Sequence, residues 1–302
     1  LNHYLHRTYF YTLSAGIVDF AKVQPENYTE IMKWAEFSLN EAKNRGKNAE
    51  YVFNEQDYEG FLRQRQLIQI MRQSVNHNCK GFEAYFQPIV DIKEGCLTSA
   101  ETLLRFRTEE TGMVSPGEFI PLAEYLGLIN PIGSHVLETA CKDCKRWNDN
   151  GHPNYKVNVN LSVVQLLQPD IVDMVEKTVK KTGINPNNLT LEVTEGLAIH
   201  DIERMKKILA DIKKIGVRIA LDDFGTGYSS LNHIREIPFD VIKVDQSFVR
   251  DLDKDAYSQS FIKMVSELAD TIGVNICVEG VETKEQYEIL QGMKVRMVQG
   301  YY

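Results

Sequence analysis

The sequence has no stretch approaching the roughly 18 to 20 apolar residues that a bilayer-spanning helix needs, and it opens at Leu1 with no signal-peptide pattern. It holds five cysteines, Cys79, Cys96, Cys141, Cys144 and Cys277. That odd number, without framework spacing, argues against a disulfide scaffold and for a reducing, cytoplasmic setting. No run of five or more basic residues occurs, and 42 Asp and Glu outnumber 34 Lys and Arg for a net charge of −8. Long nucleic acid is therefore not an expected partner. Nine prolines and 19 glycines among 302 residues exclude collagen-like and low-complexity classes, and a 43% hydrophobic share leaves ample material for a large core. With this charge, an anionic ligand would have to be attracted by carboxylates that hold divalent cations.

What is present is a rhythm. From Phe82 onward a short β-branched run, a turn and a stretch of helical period recur. Strands are predicted at Ala84–Asp91, Leu97–Arg107, Tyr155–Leu161, Leu189–Thr194, Val217–Asp222, Phe239–Asp245, Val274–Glu279 and Lys294–Gln299. Helices are predicted at Pro131–Asn150, Gln165–Thr182, Ile202–Ile215, Tyr257–Ile272 and Lys284–Gln291. This alternation argues for a barrel. Only Ile92–Cys96 separates the first two strands, far short of the dozen or so residues that a parallel crossover needs, so the first strand should run antiparallel to the second. The expected fold class is α/β, a variant (β/α)8 TIM-type barrel with an antiparallel first strand.

The first 80 residues follow another pattern. Tyr9–Val18 reads as a strand, and Tyr28–Asn44 as a helix with Ile31, Trp34, Ala35, Ser38 and Leu39 on one face, closed by Gly46. Gln56–Val75 carries Phe61, Leu62, Ile68, Met71 and Val75 at roughly helical spacing and reads as a linker helix. The expected division is residues 1–54 as the end of a partial α/β domain, 55–81 as the linker and 82–302 as the barrel, clipped after its eighth strand. Membrane attachment is expected only through segments upstream of Leu1.

The informative pattern is where acids and amides fall. Glu101 lies within the second strand, while Asn160, Glu192, the pair Asp222 and Asp223, Lys243 with Asp245, Glu279 and Gln299 fall at or near later strand ends. In a barrel that is the active-site rim. A Glu on a strand is usually solvated or ion-paired, but recurrence on successive strands makes coincidence a poor account. Converging carboxylates need a cation, and hard oxygen donors without a Cys or His cluster favour Mg²⁺, Mn²⁺ or Ca²⁺ over Zn²⁺. Two such ions usually activate water against phosphate esters, with Lys243 suited to orient or deprotonate that water. The small-residue run after Asp223 reads as a loop beside the metals. Cys141-x-x-Cys144 falls in a predicted helix, lacks a second Cys/His pair and reads as helix surface or core.

The ordered blocks Gln87-Pro-Ile-Val, Glu101-Thr-Leu-Leu-Arg105, Phe119-Ile-Pro-Leu-Ala-Glu124, Asn158-Val-Asn160-Leu-Ser162, Leu191-Glu-Val-Thr-Glu195, Asp222-Asp-Phe-Gly-Thr-Gly-Tyr-Ser-Ser-Leu231, Lys243-Val-Asp245, Glu279-Gly-Val-Glu282 and Gln299-Gly300 resemble the EAL-domain cyclic di-GMP phosphodiesterases. The resemblance implies metal-dependent hydrolysis of cyclic di-GMP to linear pGpG with two Mg²⁺ or Mn²⁺ ions, Ca²⁺ being inhibitory. It implies that Glu101, Asn160, Glu192 and Asp222 hold one ion and that Asp222, Asp223 and Glu279 hold the other. Lys243, Glu101 and Glu279 would be catalytic, and Gln87, Leu104, Arg105, Asp245 and Gln299 would contact the dinucleotide. Glu195 and Glu282 would support the metal ligands, and a homodimer through the barrel is implied. The signature here carries Thr102 where the family usually has Ala; Thr102 points away from Glu101 by strand alternation, so packing consequences are expected. The front segment, with Thr12-Leu-Ser-Ala-Gly-Ile-Val and Ala35-Glu-Phe-Ser-Leu-Asn-Glu-Ala-Lys43, resembles the end of a GGDEF domain without its signature. Glu36 and Asn40 mark it as degenerate. A cyclic di-GMP receptor without turnover and a scaffold acting by protein contacts are the competing functional classes.

Overall fold

The computed structural model describes residues 2–4, 7–9, 11–194, 202–226 and 237–302. The chain divides into two compact units, Leu1–Ile70 and Met71–Tyr302. Among the described residues no helix is long and apolar enough to cross a membrane.

In the first unit, β1 (Asn2–Tyr4) and β2 (Arg7–Tyr9) pair antiparallel, and β3 (Ala15–Ile17) and β4 (Glu50–Val52) pair parallel around α1 (Tyr28–Asn44). The helix starts where expected because the Asn27 side chain accepts the Glu30 N–H at 3.0 Å. Its buried face is Trp34, Phe37, Ser38 and Ala42. Trp34 stacks on Phe53 with ring centroids 4.5 Å apart, and Tyr51 completes this small core. The expected strand Tyr9–Val18 forms only at Ala15–Ile17 in β3, its first residue belonging to β2. The helix α2 (Glu55–Asn76) matches the expected Gln56–Val75 to one residue at each end, and the division between the units falls within it.

The second unit is a TIM-barrel-like closed sheet of eight strands: β5 (Phe82–Asp91), β6 (Cys96–Thr108), β8 (Lys156–Asn160), β9 (Leu189–Thr194), β10 (Arg218–Phe224), β11 (Val241–Val244), β12 (Asn275–Val281) and β13 (Met297–Gly300). From β6 to β13 neighbours are parallel, whereas β5 runs antiparallel to both β6 and β13. The short Ile92–Gly95 link permits a hairpin and nothing longer. Every expected barrel strand is present, with ends shifted by a few residues.

The short strand β7 (Gly112–Val114) and the helix α3 (Pro116–Tyr125) follow β6 and are not anticipated by the hydrophobic pattern. Pro116 and Gly117 look like loop residues, yet proline fits the first turn of a helix, where its missing N–H costs nothing. The outer helices are α4 (Ile129–Asp149), α5 (Val163–Leu166), α6 (Ile171–Thr182), α7 (Ile202–Lys214), α8 (Ala256–Ile272) and α9 (Lys284–Gln291). The expected single helix Gln165–Thr182 is thus two, α5 and α6, because Pro169 between them cannot continue a helix. Inside the barrel Ile89, Ala220, Val241 and Cys277 form an apolar layer with Met297 against it.

Strand alternation turns Thr102 away from Glu101 and into the wall, where it is 2% exposed and its Oγ1 is buried without a hydrogen-bond partner among the described residues. A buried, unmade hydroxyl bond is unfavourable, and valine has nearly the same shape without it. Thr102→Val should therefore raise unfolding stability by about 1 kcal/mol in urea titrations. A loss of stability would show that the hydroxyl is satisfied in solution.

Candidate active site

Residues i and i+2 of a strand share a face, and on the barrel strands the inward face turns polar toward the C-terminal ends. At its centre is Lys243 of β11, 1% exposed. Its Nζ lies 2.6 Å from Glu279 Oε1 on β12, 2.9 Å from Glu192 Oε2 on β9, 3.1 Å from Glu101 Oε2 on β6 and 3.2 Å from Asp222 Oδ1 on β10. One ammonium therefore bridges four strands. Removing one partner of a buried ion pair typically costs about 3–5 kcal/mol, so the cluster is held mutually.

Amides complete the shell. Asn160 Nδ2 donates to Glu101 Oε1 at 2.8 Å, and Gln299 Nε2 donates to Glu101 Oε2 at 2.7 Å and to Gln87 Oε1 at 3.1 Å. The Gln299 Oε1 atom is buried and accepts no bond among the described residues. Asn158, which recurrence at strand ends does not mark as a site residue, donates Nδ2 to Glu192 Oε1 at 2.8 Å. The two-residue spacing to Asn160 was the signal that could have found it.

Adjacent carboxylates at 222 and 223 would point to opposite faces of a regular strand. Here Asp223 adopts φ 55, and the β10–β11 register shifts between Leu221 and Phe224. This bulge brings Asp223 alongside Asp222, so that ligand atoms of Asp222, Asp223 and Glu279 lie within 4.8 Å of one another, a geometry consistent with a divalent metal site. A second bulge follows Glu279, where the β12–β13 register shifts between Val278 and Val281. Gly300 makes it possible: a Cβ there would lie 1.9 Å from the Val281 carbonyl oxygen. The close approach seats Gln299 beside the cluster.

Burial pushes Glu192 up to about 8 and Glu279 up to about 7, with Lys243 pulling both down and neighbouring carboxylates adding to the rise. Asp223 is raised by burial and then by Asp222 and Asp245. For Glu101, burial is outweighed by Lys243, Gln299 and Asn160, which hold it below the ordinary carboxylate range. The Lys243 pKa is driven well above that of a free lysine, because Glu192, Glu101, Asp222 and Glu279 overcome the cost of burying its charge. Without metal, Lys243 is a fixed cation and not a base.

Other expected residues lie farther out. Arg105 Nη1 donates to the Leu104 carbonyl at 3.0 Å, and its guanidinium lies 5.9 Å from the Tyr85 ring centroid. Asp245 Oδ1 accepts the Ser247 N–H at 2.9 Å, capping a turn after β11. Glu282 is exposed, and its backbone N–H donates to Gln286 Oε1; the structure does not bring its carboxylate into the cluster. Glu195 and residues 227–231 of the small-residue run lie outside the described residues. Cys141 and Cys144 are buried on α4 as free thiols, and burial pushes both up to about 12, which makes them unreactive.

The proton balance gives a test. Folded Glu192 and Glu279 retain protons that the unfolded chain has released above the ordinary value of 4.5. That stabilisation is complete below the unfolded value and is lost as pH rises through the folded values. The melting temperature of EDTA-treated protein should fall between about pH 5 and pH 8, and Mg²⁺ should flatten the fall by taking the place of the protons. A melting temperature that climbs across this window would contradict the assignment.

Comparison with known proteins places this geometry. The EAL domain profile matches residues 69–302. The chain is 34% identical over 272 residues to the bifunctional diguanylate cyclase/cyclic di-GMP phosphodiesterase MucR of Pseudomonas aeruginosa, an alignment covering 90% of this chain and 39% of MucR. It spans between 33% and 39% of the length of the first three curated relatives. Among solved structures, the PaMucR phosphodiesterase in complex with c-di-GMP superposes with a TM-score of 0.74 at 36% identity, over 78% of this chain and 95% of that one. The EAL enzyme Bd1971 in its cAMP- and cyclic-di-GMP-bound form gives 0.76 at 27% identity, over 92% and 72%. The matched profile covers the whole barrel with its acidic mouth, and the chain belongs to the EAL domain family.

Proposed function

We propose that the barrel hydrolyses one phosphodiester of cyclic di-GMP to give linear 5'-pGpG, using two divalent cations. The observation that carries this reading is the buried Lys243 ringed by Glu101, Glu192, Asp222 and Glu279, with Asp223 adjoining. Five carboxylates against one ammonium leave an excess of negative charge that two divalent ions would neutralise, and the raised Glu192 and Glu279 are the mark of that unmet demand. Glu101, Asn160, Glu192 and Asp222 would hold one Mg²⁺ or Mn²⁺, and Asp222, Asp223 and Glu279 the other. Ca²⁺, with longer and more flexible coordination, would occupy the site without supporting turnover. Divalent cations there supply charge for the phosphodiester oxygens and lower the pKa of a water.

The residues of the chain do the rest. Lys243, permanently charged, orients the attacking water and stabilises charge that develops on the phosphate. Arg105 meets a phosphate oxygen with its fork of donors. Gln299 and Gln87, joined by the bond from Gln299 Nε2 to Gln87 Oε1, would contact the dinucleotide beside the cluster. Leu104 supplies apolar contact to a base. Asp245 fixes the turn beside Asp223, and Glu195 and Glu282 steady the surrounding loops. The acidic set repeats on successive strand ends because no single element could bring so many like charges together.

The reading extends to the front of the chain. Residues 1–54 form the end of a degenerate GGDEF domain and residues 55–81 a linker helix. Support comes from the β3–α1–β4 crossover and from the MucR alignment, which reaches well beyond the EAL match. A homodimer through the barrel rests on the family resemblance alone.

The test is chromatography of products after incubation with cyclic di-GMP and Mg²⁺ or Mn²⁺. pGpG should form, Glu101→Gln should abolish it, and Lys243→Ala should lower kcat by at least about 100-fold while changing ligand affinity only a few-fold. Binding without product in the metal-loaded protein would instead assign a receptor. A large loss of affinity in Lys243→Ala would move Lys243 from the chemical step to ligand binding.

A further inference from the structure

The barrel has a second polar mouth. At the N-terminal ends of the seven parallel strands, joined there by the C-terminal end of β5, a cavity of about 310 Å³ is lined from all eight strands. Its charged lining is Lys156, Arg218, Arg296 and Asp91, with Asn158 and Thr190 among the polar groups. All of it lies within the unit Met71–Tyr302. Three cations thus face one carboxylate.

That carboxylate is already engaged. Asp91 Oδ1 accepts the backbone N–H groups of Lys93 and Glu94, each at 3.0 Å, and Oδ2 accepts Arg296 Nε at 3.3 Å. Lys156 Nζ donates to the Asn154 carbonyl at 3.2 Å and pairs with no acid among the described residues. Burial, then Arg218 and Arg296, push its pKa down. The Arg218 side chain, half-buried at the start of β10, has no hydrogen-bond or ion-pair partner among the described residues. Lys156 and Arg218 are thus half-buried cations without an acid partner among the described residues, a cost in the free protein that an anion would relieve, while Arg296 is exposed and paired with Asp91 at the rim.

We propose that this N-terminal cavity binds a phosphate dianion, free or carried on a small ester, through Lys156, Arg218 and Arg296. Guanidinium forks and an ammonium are the donors that phosphate oxygens select. The site is separate from the acidic mouth, because the layer of Ile89, Ala220, Val241 and Cys277 crosses the barrel between them. An apolar cavity of about 460 Å³, lined by Phe86, Trp147, His152 and Tyr155, shares Ser99 and Lys156 with it. A phosphate ester held by Lys156 therefore has an aromatic cleft beside it for a flat ring. Asn158 also lines the cationic cavity while bonding Glu192, so the bound anion lies one side chain from the acidic cluster. The proposal does not depend on the hydrolase reading.

The experiment is thermal melting of the full chain in EDTA, at ionic strength held constant with chloride, with inorganic phosphate in one arm and AMP in the other. EDTA keeps phosphate from being recruited by metal at the acidic mouth. A rise of about 3 °C at ten times Kd is expected. A response to both ligands or to phosphate alone identifies free phosphate; a response to AMP alone identifies the ester. Arg218→Met should lose the rise and, with like-charge repulsion relieved, melt no lower than the wild type without ligand. Lys156→Met serves the same purpose if Arg218→Met does not fold. No rise in the wild type with either ligand, or an undiminished rise in the folded variants, would overturn the proposal.

Discussion

The mouth of the barrel depends on one ammonium. Lys243 Nζ is within 3.2 Å of carboxylate oxygens from four strands, and without a cation at that point Glu101, Glu192, Asp222 and Glu279 could not be buried together as anions. In low dielectric the repulsion among them would open the strand ends or force proton uptake. Partial uptake is what the raised Glu192 and Glu279 display, while Glu101, best supplied with donors, stays low. The site is therefore preorganised as a ring of oxygen ligands whose charge is incompletely balanced, a state that favours divalent cations over any neutral occupant.

That balance needs the backbone to depart from regularity at two places. Asp223 sits at φ 55, a conformation that costs a non-glycine residue about 1 kcal/mol or more. It persists because the β10 bulge turns two neighbouring carboxylates the same way. Two strands along the sheet, the bulge after Glu279 is matched by Gly300, whose missing side chain lets β13 close against Val281. Strain and close approach fall next to the acidic residues and not in the apolar layer beneath them. They follow from demanding more ligands than regular alternation can present.

This division explains what could be read from the sequence. Strand periodicity marked all eight barrel strands, and the brevity of the Ile92–Gly95 link alone set β5 antiparallel to its neighbours. The acids and amides were legible because they recur at strand ends. Asn158 lies short of the strand end and so escapes that pattern, although its spacing from Asn160 places both on the inward face. The two bulges were not legible, since Asp222-Asp223 and Glu279-Gly280 look the same in a flat strand. The helix α3 is not legible because proline and glycine at its start carry the same letters as a loop, and α5 and α6 read as one helix because helical periodicity runs across Pro169. The ring around Lys243 was legible only in its parts: a lone lysine on a strand carries no sign of how many carboxylates converge on it.

The barrel also separates charge along its axis. Parallel strands expose C-terminal carbonyls and side chains at one end and N-terminal ones at the other, so each strand contributes to both mouths with residues only a few positions apart. On β10, Arg218 and Asp222 sit four residues apart, and on β8, Lys156 and Asn160 do. A one-residue register slip would turn these faces outward on every strand concerned and place opposite charges against the helices. The layer of Ile89, Ala220, Val241 and Cys277 keeps the two mouths from neutralising each other through the interior. Acidic and basic ends on a single closed sheet thus specify the register of the strands as firmly as the apolar layer does, and the same polarity gives each end its own class of guest: cations where the carboxylates converge, anions where the guanidinium groups do.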